Sequence, residues 1–432
     1  MPMTGVDPRQ RRLALFGLFL VSAFNYFDRT ILSVLQIPIK AELGLSDSQL
    51  GALTGFAFAL FYATLSLPIA RLADRYSRRL IIVISLAVWS GMTALCGLAT
   101  GFVSLAVFRI GVAIGEAGSV PASVSLIADY YPPERRAMAL SIWGLALPIG
   151  LLVGYAGIGA LASALGWRGA FAIVGGAGVL LAPLIYLLVG NPVRGRLDPQ
   201  GVQMAEGPVL PLRQALAMLW RTKSYRWVVI AGMLHGFSQY AMMSWNAPFF
   251  VRSHGLSLRD VSFLMAILSG VAGGIGMYGS GWLTDRLAVR DRRWRVWIMG
   301  VTVALTVPFA LIQYLATSTT LSIVAAAFAA MLMIAYYGPI VAATQSAVPA
   351  NMRAFANAVL LLSFNLFGLG LGPLAAGAIS DWLTPTFGDQ ALRYAISIVL
   401  LPSALAAIVF FYAGRFWRSE PVAVHGEETS HA

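Results

Sequence analysis

Apolar residues fall in long runs broken by short polar, glycine- or proline-containing stretches. The runs lie roughly at 13 to 38, 50 to 72, 79 to 99, 102 to 128, 138 to 163, 167 to 190, 225 to 251, 259 to 285, 295 to 316, 319 to 347, 354 to 383 and 391 to 416. About 20 apolar residues at a rise of 1.5 Å cross a bilayer, so the pattern predicts twelve membrane-spanning helices. The longest polar stretch divides them six and six. The predicted organisation is an N-terminal six-helix bundle over 1–190, a cytoplasmic linker over 191–224, a C-terminal six-helix bundle over 225–418 and a disordered tail over 419–432. Within the linker, Leu212, Ala215, Leu216 and Leu219 recur at helical spacing beside Arg213, Arg221 and Lys223, which predicts an amphipathic surface helix.

Composition sharpens this reading. Of 432 residues, 58% are hydrophobic and 11% charged, against about 45–50% and about 25% in soluble domains. Soluble architectures are excluded. A net charge of +12 would suggest nucleic acid in a soluble chain, but here the arginines stand between apolar runs. With the N-terminus cytoplasmic, 23 Lys and Arg fall on the inner side and five (Lys40, Arg168, Arg252, Arg259 and Arg393) on the outer, which predicts both termini in the cytoplasm. The N-terminal run imitates a signal peptide, yet it contains Asp28 and Arg29 and reaches Pro38, and reads as a retained helix. One cysteine, Cys96, and four scattered histidines provide neither a disulfide nor a metal cluster.

The halves echo each other. Ala70-Arg71-Leu72-Ala73-Asp74-Arg75-Tyr76-Ser77-Arg78-Arg79, after the second run, is matched by Gly281-Trp282-Leu283-Thr284-Asp285-Arg286 after the eighth. Pro132-x-x-x-Arg136-Ala137 is matched by Pro349-x-x-x-Arg353-Ala354, and Gly377-x-x-x-Asp381 adds a weaker third echo suited to inverted repeats. The first of these elements resembles the signature loop of the major facilitator superfamily, with Ala70 and Ser77 in place of its two glycines. Arg109-x-x-x-x-x-Gly115, Gly144-x-x-x-Pro148-x-Gly150 and Gly368-x-Gly370-x-Gly372-Pro373 are similar to further patterns of that superfamily. Asn25-Tyr26-Phe27-Asp28-Arg29, Gly115-Glu116-Ala117 followed by Asp129, and Trp245-x-x-Pro248 resemble the spinster family. The resemblance covers most of the chain. It implies an all-α membrane protein of two pseudo-symmetric six-helix bundles, in a bacterial inner membrane, that moves a lysophospholipid or sphingolipid-like amphiphile.

Four formally charged residues, Asp28, Arg29, Arg109 and Glu116, fall well inside runs, all in the first half. An ionised side chain at the bilayer centre costs about 2.5–3.5 kcal/mol even on lenient scales, so these groups must pair, face water or neutralise. Asp28 lies about 15 residues into the first run from one side and Glu116 about 15 into the fourth from the other, so both reach the midplane. Arg109 and Glu116, seven apart, share a helical face. Pairing and protonation of such acids compete: protonating Glu116 or Asp28 would free Arg29 to hold an anionic group. The alternative is a permanent ion-pair network that fixes the first and fourth helices.

Asp74, Arg75, Arg78, Asp285 and Arg286 are candidates for a cytoplasmic gate, against the alternative of a solvated, orientation-setting charge run. The second half offers His235, Gln239, Trp245, Asn246, Gln345, Asn357 and Asn365, which with Asn25 and Tyr26 are candidates to line a substrate cavity, or else interhelical hydrogen bonds. Glycines and Pro148 and Pro373 allow close contact and kinks. Gly274-x-Gly276-x-x-Gly279 lacks a preceding strand and implies no cofactor. No nucleophile, zinc or nucleotide motif is present, so the expectation is a monomeric proton-coupled transporter rather than an enzyme. The alternatives are a carrier of small organic anions or amphipathic drugs, and a passive lipid scramblase.

Overall fold

The computed structural model describes residues 7–193, 211–349 and 352–417. The predicted disordered tail lies outside the described residues, as do positions 194–210 of the linker and the side chains of Asp74 and Arg75. Nine helical stretches among the described residues are long and apolar enough to cross a membrane. Two of them, Glu134–Leu188 and Phe355–Trp417, run 55 and 63 residues and turn at Gly166 and Gly388, whose φ of 70° and 53° only glycine adopts readily. Each therefore makes two crossings, and the more polar Lys223–His254 completes twelve.

In chain order these are α1 (Pro8–Leu43), α2 (47–75), α3 (Arg78–Cys96), α4 (Phe102–Tyr130), α5 (133–165), α6 (167–188), α7 (Lys223–His254), α8 (Leu258–Ala288), α9 (Trp294–Leu315), α10 (Thr319–Ser346), α11 (353–387) and α12 (391–413). Local signals set their ends. Asp7 caps α1, Pro8 occupies its first turn, and Gly44 closes it at φ 63°. Ser46 and Gln49 form a reciprocal capping box at the start of α2. The helices overrun the apolar runs; α1 starts five residues before its run and ends five after, because capping rather than hydropathy decides where a helix stops. A short helix, Leu212–Arg221, precedes α7 and buries Ala215 and Leu219 against the second half, leaving Leu212 and Leu216 exposed.

The apolar core is not one body. Leu18, Leu86, Trp89 and Leu126 belong to a core whose buried residues all come from the first half, and Val228, Val303, Ile340 and Phe410 to one built by α7–α12 with the short helix before them. Both lie toward the end of the molecule that carries Arg78, Arg79, Arg292 and Arg293, here the arginine-rich end. Toward the opposite end a single core joins the halves: Leu50 and Leu53 from α2, Tyr155 from α5, Trp245 from α7, Met265 from α8 and Ala376 from α11. The helices at this junction are irregular. α2, α8 and α11 carry π-helical turns at Ala52–Phe56, Ile267–Ala272 and Phe364–Leu371, and α5 is broken at Leu145. Such turns are rare and mark sites where a helix must adapt.

Candidate transport site

Arg29 stands at mid-height of α1 and is the partly exposed member of the central charges. Its Nε and Nη2 both donate to Glu116 Oε2 at 2.8 Å, joining α1 to α4. The Glu116 side chain is fully buried and that of Arg29 is 25% exposed, so the pair meets its surroundings only through Arg29. The rings of Phe58 and Tyr62 lie 5.0 and 5.1 Å from its carbon, and that of Tyr26 lies 6.0 Å away. Cation–π attraction of this kind steadies a guanidinium without consuming its hydrogens. Tyr240 and Tyr337, from the other half, stand within electrostatic reach of the same cation.

Asp28, one residue away, is turned by about 100° on the helix and faces α3 instead. It is fully buried and accepts from Thr93 Oγ1 at 2.9 Å; its second oxygen has no hydrogen-bond partner among the described residues. Arg109, 3% exposed, lies within electrostatic reach of Asp28 and 5.4 Å from the Phe58 ring, so that ring is approached by two guanidinium groups. The structure therefore brings Arg29 and Glu116 into direct contact, and sets the buried Asp28 within electrostatic reach of Glu116, Arg109 and Arg29 in the same half.

The amides and rings proposed for the cavity divide. His235 is spent inside the second half: its ring nitrogens meet Ser403 Oγ at 2.8 Å and Met333 O at 3.0 Å. Trp245, fully buried, donates from Nε1 to Pro373 O at 2.9 Å, and Asn246 Oδ1 accepts from Gln313 at 2.9 Å and from Tyr314 at 2.5 Å. These three tie helices together, and Asn25 is buried at 5% exposure. Tyr26, Gln239 and Asn365 are half-buried, and Gln239 accepts from Tyr336 Oη at 2.6 Å.

Among the described side chains, the gate candidates Arg78, Asp285 and Arg286 are not brought across the halves; those of Asp74 and Arg75 lie outside the described residues. Arg78, 3% exposed, pairs with Asp129 and donates to Ser125 and to Pro192 O, all within the first half. Arg286 lies over the ring of Trp282, its neighbour on α8, at 5.4 Å, and Asp285 forms no ion pair among the described residues.

Charge does cross the halves at the opposite end, at residues that sequence reasoning passed over. Asp47, in the first turn of α2, accepts from Arg252 of α7 at 2.6 and 2.7 Å, from Ser380 of α11 at 2.7 Å and from Lys40 of α1 at 2.5 Å. Asp381 of α11 in turn accepts from the backbone N–H groups of Asp47 and Ser48 at 2.9 and 2.7 Å. Those donors are the unsatisfied amides of a helix start, where the helix dipole also favours an anion. Deeper, Gln36 of α1 donates to Ser244 of α7, whose hydroxyl donates to Thr54 of α2. Small residues allow the approach: a Cβ on Gly51, Gly55 or Gly377 would run into the backbone oxygen of Pro373, Leu369 or Asp47 respectively. In the sequence, the Gly377-x-x-x-Asp381 echo touches this cluster and the charge count sets Lys40 and Arg252 on its side of the membrane, but neither signal joins them to Asp47.

Two six-helix halves joined at one end over a central ion pair are the plan of a rocking transporter, and the model of the Major Facilitator Superfamily matches residues 18–369. The chain belongs to the major facilitator superfamily. Within this superfamily it is spinster-like. A solved bacterial homologue of the human lysosomal transporter spinster, in an inward-facing and unoccupied conformation, superposes with a TM-score of 0.88 at 31% identity, covering 96% of this chain and 98% of that one. An MFS-type efflux pump of Mycolicibacterium smegmatis is 34% identical over 96% of this chain and 95% of its own length. Protein spinster homolog 3 of Danio rerio is 24% identical over 96% of this chain and 87% of its own. The superfamily assignment makes the protein a multi-pass membrane transporter and not an enzyme.

Proposed function

We propose that this superfamily member is a proton-coupled secondary transporter, working by alternating access on a lysophospholipid or sphingolipid-like amphiphile. The observation that carries the reading is the Arg29–Glu116 pair, in which the partly exposed cation is held by a single buried carboxylate. When Glu116 takes a proton it no longer neutralises Arg29, and the guanidinium binds an anionic headgroup while the surrounding Tyr26, Phe58 and Tyr62 rings contact apolar parts of the cargo. The two ligands then bias the same conformational equilibrium, which is the requirement for coupling. In this reading the arginine-rich end and both termini face the cytoplasm of a bacterial cell and the joined end faces outward, which the positive-inside rule supports. Protons supply the energy, no cofactor takes part, and the chain acts as a monomer.

The test is uptake of a labelled lysophospholipid into proteoliposomes, with and without an imposed pH gradient, for wild type and Glu116→Gln. Gradient-driven uptake in wild type and its loss in the variant, with binding retained, supports the proposal; uptake in the variant with unchanged pH dependence overturns it. A second reading, export of amphipathic drugs, draws on the likeness to the mycobacterial efflux pump. It uses the same pair and predicts drug-triggered proton movement without lysolipid uptake.

A further inference from the structure

Two helices, one in each half, are interrupted in the same way. α4 breaks after Glu116 and resumes at Ser119, and α10 breaks after Ile334 and resumes at Tyr337. A proline explains each break: Pro121 and Pro339 supply no N–H and press on the carbonyl four residues back, that of Ala117 and that of Ala335. The first break carries Glu116 to Arg29. The second carries two tyrosines, of which Tyr337 is half-buried and stands within electrostatic reach of Arg29, Tyr26 and Tyr240.

A helix break strands the last carbonyls of the segment before it, and Met333 O is one of these. The buried His235 of α7 takes it. Its Nε2 meets Met333 O at 3.0 Å, an atom that can only accept, so Nε2 carries the proton and Nδ1 accepts from Ser403 Oγ at 2.8 Å. One turn further along the same face of α7, Gln239 Oε1 accepts from Tyr336 Oη at 2.6 Å. The His235 and Tyr336 rings meet edge to face with centroids 4.5 Å apart. α7 thus grips the break from both sides, and the half-buried Gln239, its oxygen occupied, keeps its NH2 group as a donor. We infer that His235 is a positioning residue for transport: by holding Met333 O it fixes the α10 break, so that the Gln239 amide and the Tyr337 hydroxyl serve as neutral second-half donors to the anionic group that Arg29 binds. His235 itself touches no cargo. The inference rests on the transport reading for the cargo and on the helix break alone for the geometry.

Two substitutions separate the contacts of the ring. A glutamine amide nitrogen reaches the place of Nε2 and an asparagine oxygen that of Nδ1, so His235→Gln keeps the donor to Met333 O while His235→Asn keeps only the acceptor for Ser403. Met333-Ile334 is the single Met-Ile step of the chain, so carbonyl-labelled methionine with nitrogen-labelled isoleucine yields one solid-state NMR correlation, that of the Met333 carbonyl, from the full-length protein in proteoliposomes. His235→Asn should move this carbonyl upfield, and His235→Gln should leave it at the wild-type position. In uptake of labelled oleoyl-lysophosphatidic acid under a pH gradient, His235→Asn should raise KM by about tenfold with the maximal rate kept within about twofold, the scale of one lost hydrogen bond. His235→Gln should restore the wild-type KM. Tyr336→Phe should raise KM and leave the Met333 carbonyl where it is. Coincident carbonyl signals in the Asn and Gln variants overturn the inference, as does a common KM for the two. Absence of lysolipid uptake by wild type overturns the transport reading instead, and the carbonyl comparison then decides the inference by itself.

Discussion

The two ends of the molecule carry similar charges and use them differently. At the arginine-rich end the buried pair Arg78–Asp129 closes within one half, and each half has its own apolar core. At the opposite end Asp47 gathers cations from α1 and α7, Asp381 holds the first amides of α2, and one core serves both halves. The contrast separates charges that build a half from charges that choose between conformations. An ion pair closed within one half has the same energy in every arrangement of the two halves; a pair across them is lost when they part.

The strongest way to break the comparison is Asp47→Asn. Removing one partner of a buried ion pair costs about 3–5 kcal/mol, and with the Lys40 side chain 35% exposed the lower figure applies. About 3 kcal/mol moves an equilibrium by about a hundredfold, so distances between spin labels on the two halves at the opposite end should lengthen. A bridge of no conformational weight would leave them unchanged. Labelling is clean because Cys96, the single native cysteine, is buried. Gly377→Ala acts on the same junction through shape, pressing a methyl group on Asp47 O; overpacking of this kind costs about 1–3 kcal/mol and should shift the same distances in the same direction by less. Asp129→Asn is the control for the other end: it takes the counter-charge from the buried Arg78, which keeps only its neutral acceptors Ser125 and Pro192 O, lowers the melting temperature, and leaves the inter-half distances alone. Gly144→Ala, with nothing within 4 Å of the added Cβ, should change neither distance nor melting temperature.

The sequence exposed those parts of the molecule whose cost appears in one dimension. Twelve apolar runs were legible because a membrane span leaves no room for frequent charge. Asp28, Arg29, Arg109 and Glu116 were legible for the converse reason, being charges where none is tolerated unpaired. That Arg29 takes Glu116 while Asp28 turns to Thr93 depends on a 100° step around a helix and on which neighbour packs there. The Asp47 cluster was illegible because Lys40, Asp47 and Arg252 sit at helix ends, where charges are ordinary, and because their partners are as many as 334 residues apart. His235 and Trp245 looked available for cargo only until Ser403, Met333 and Pro373 were seen to hold them.

The core shared at the opposite end turns its parting into a question of wetting. Leu50, Leu53, Trp245 and Met265 are dry while the halves are joined, and whatever enters the seam must replace their contacts. Water does so at roughly 25 cal/mol for each Å² of apolar surface it meets. A hydrocarbon chain does so at almost none, so the material filling the gap sets how readily that end opens.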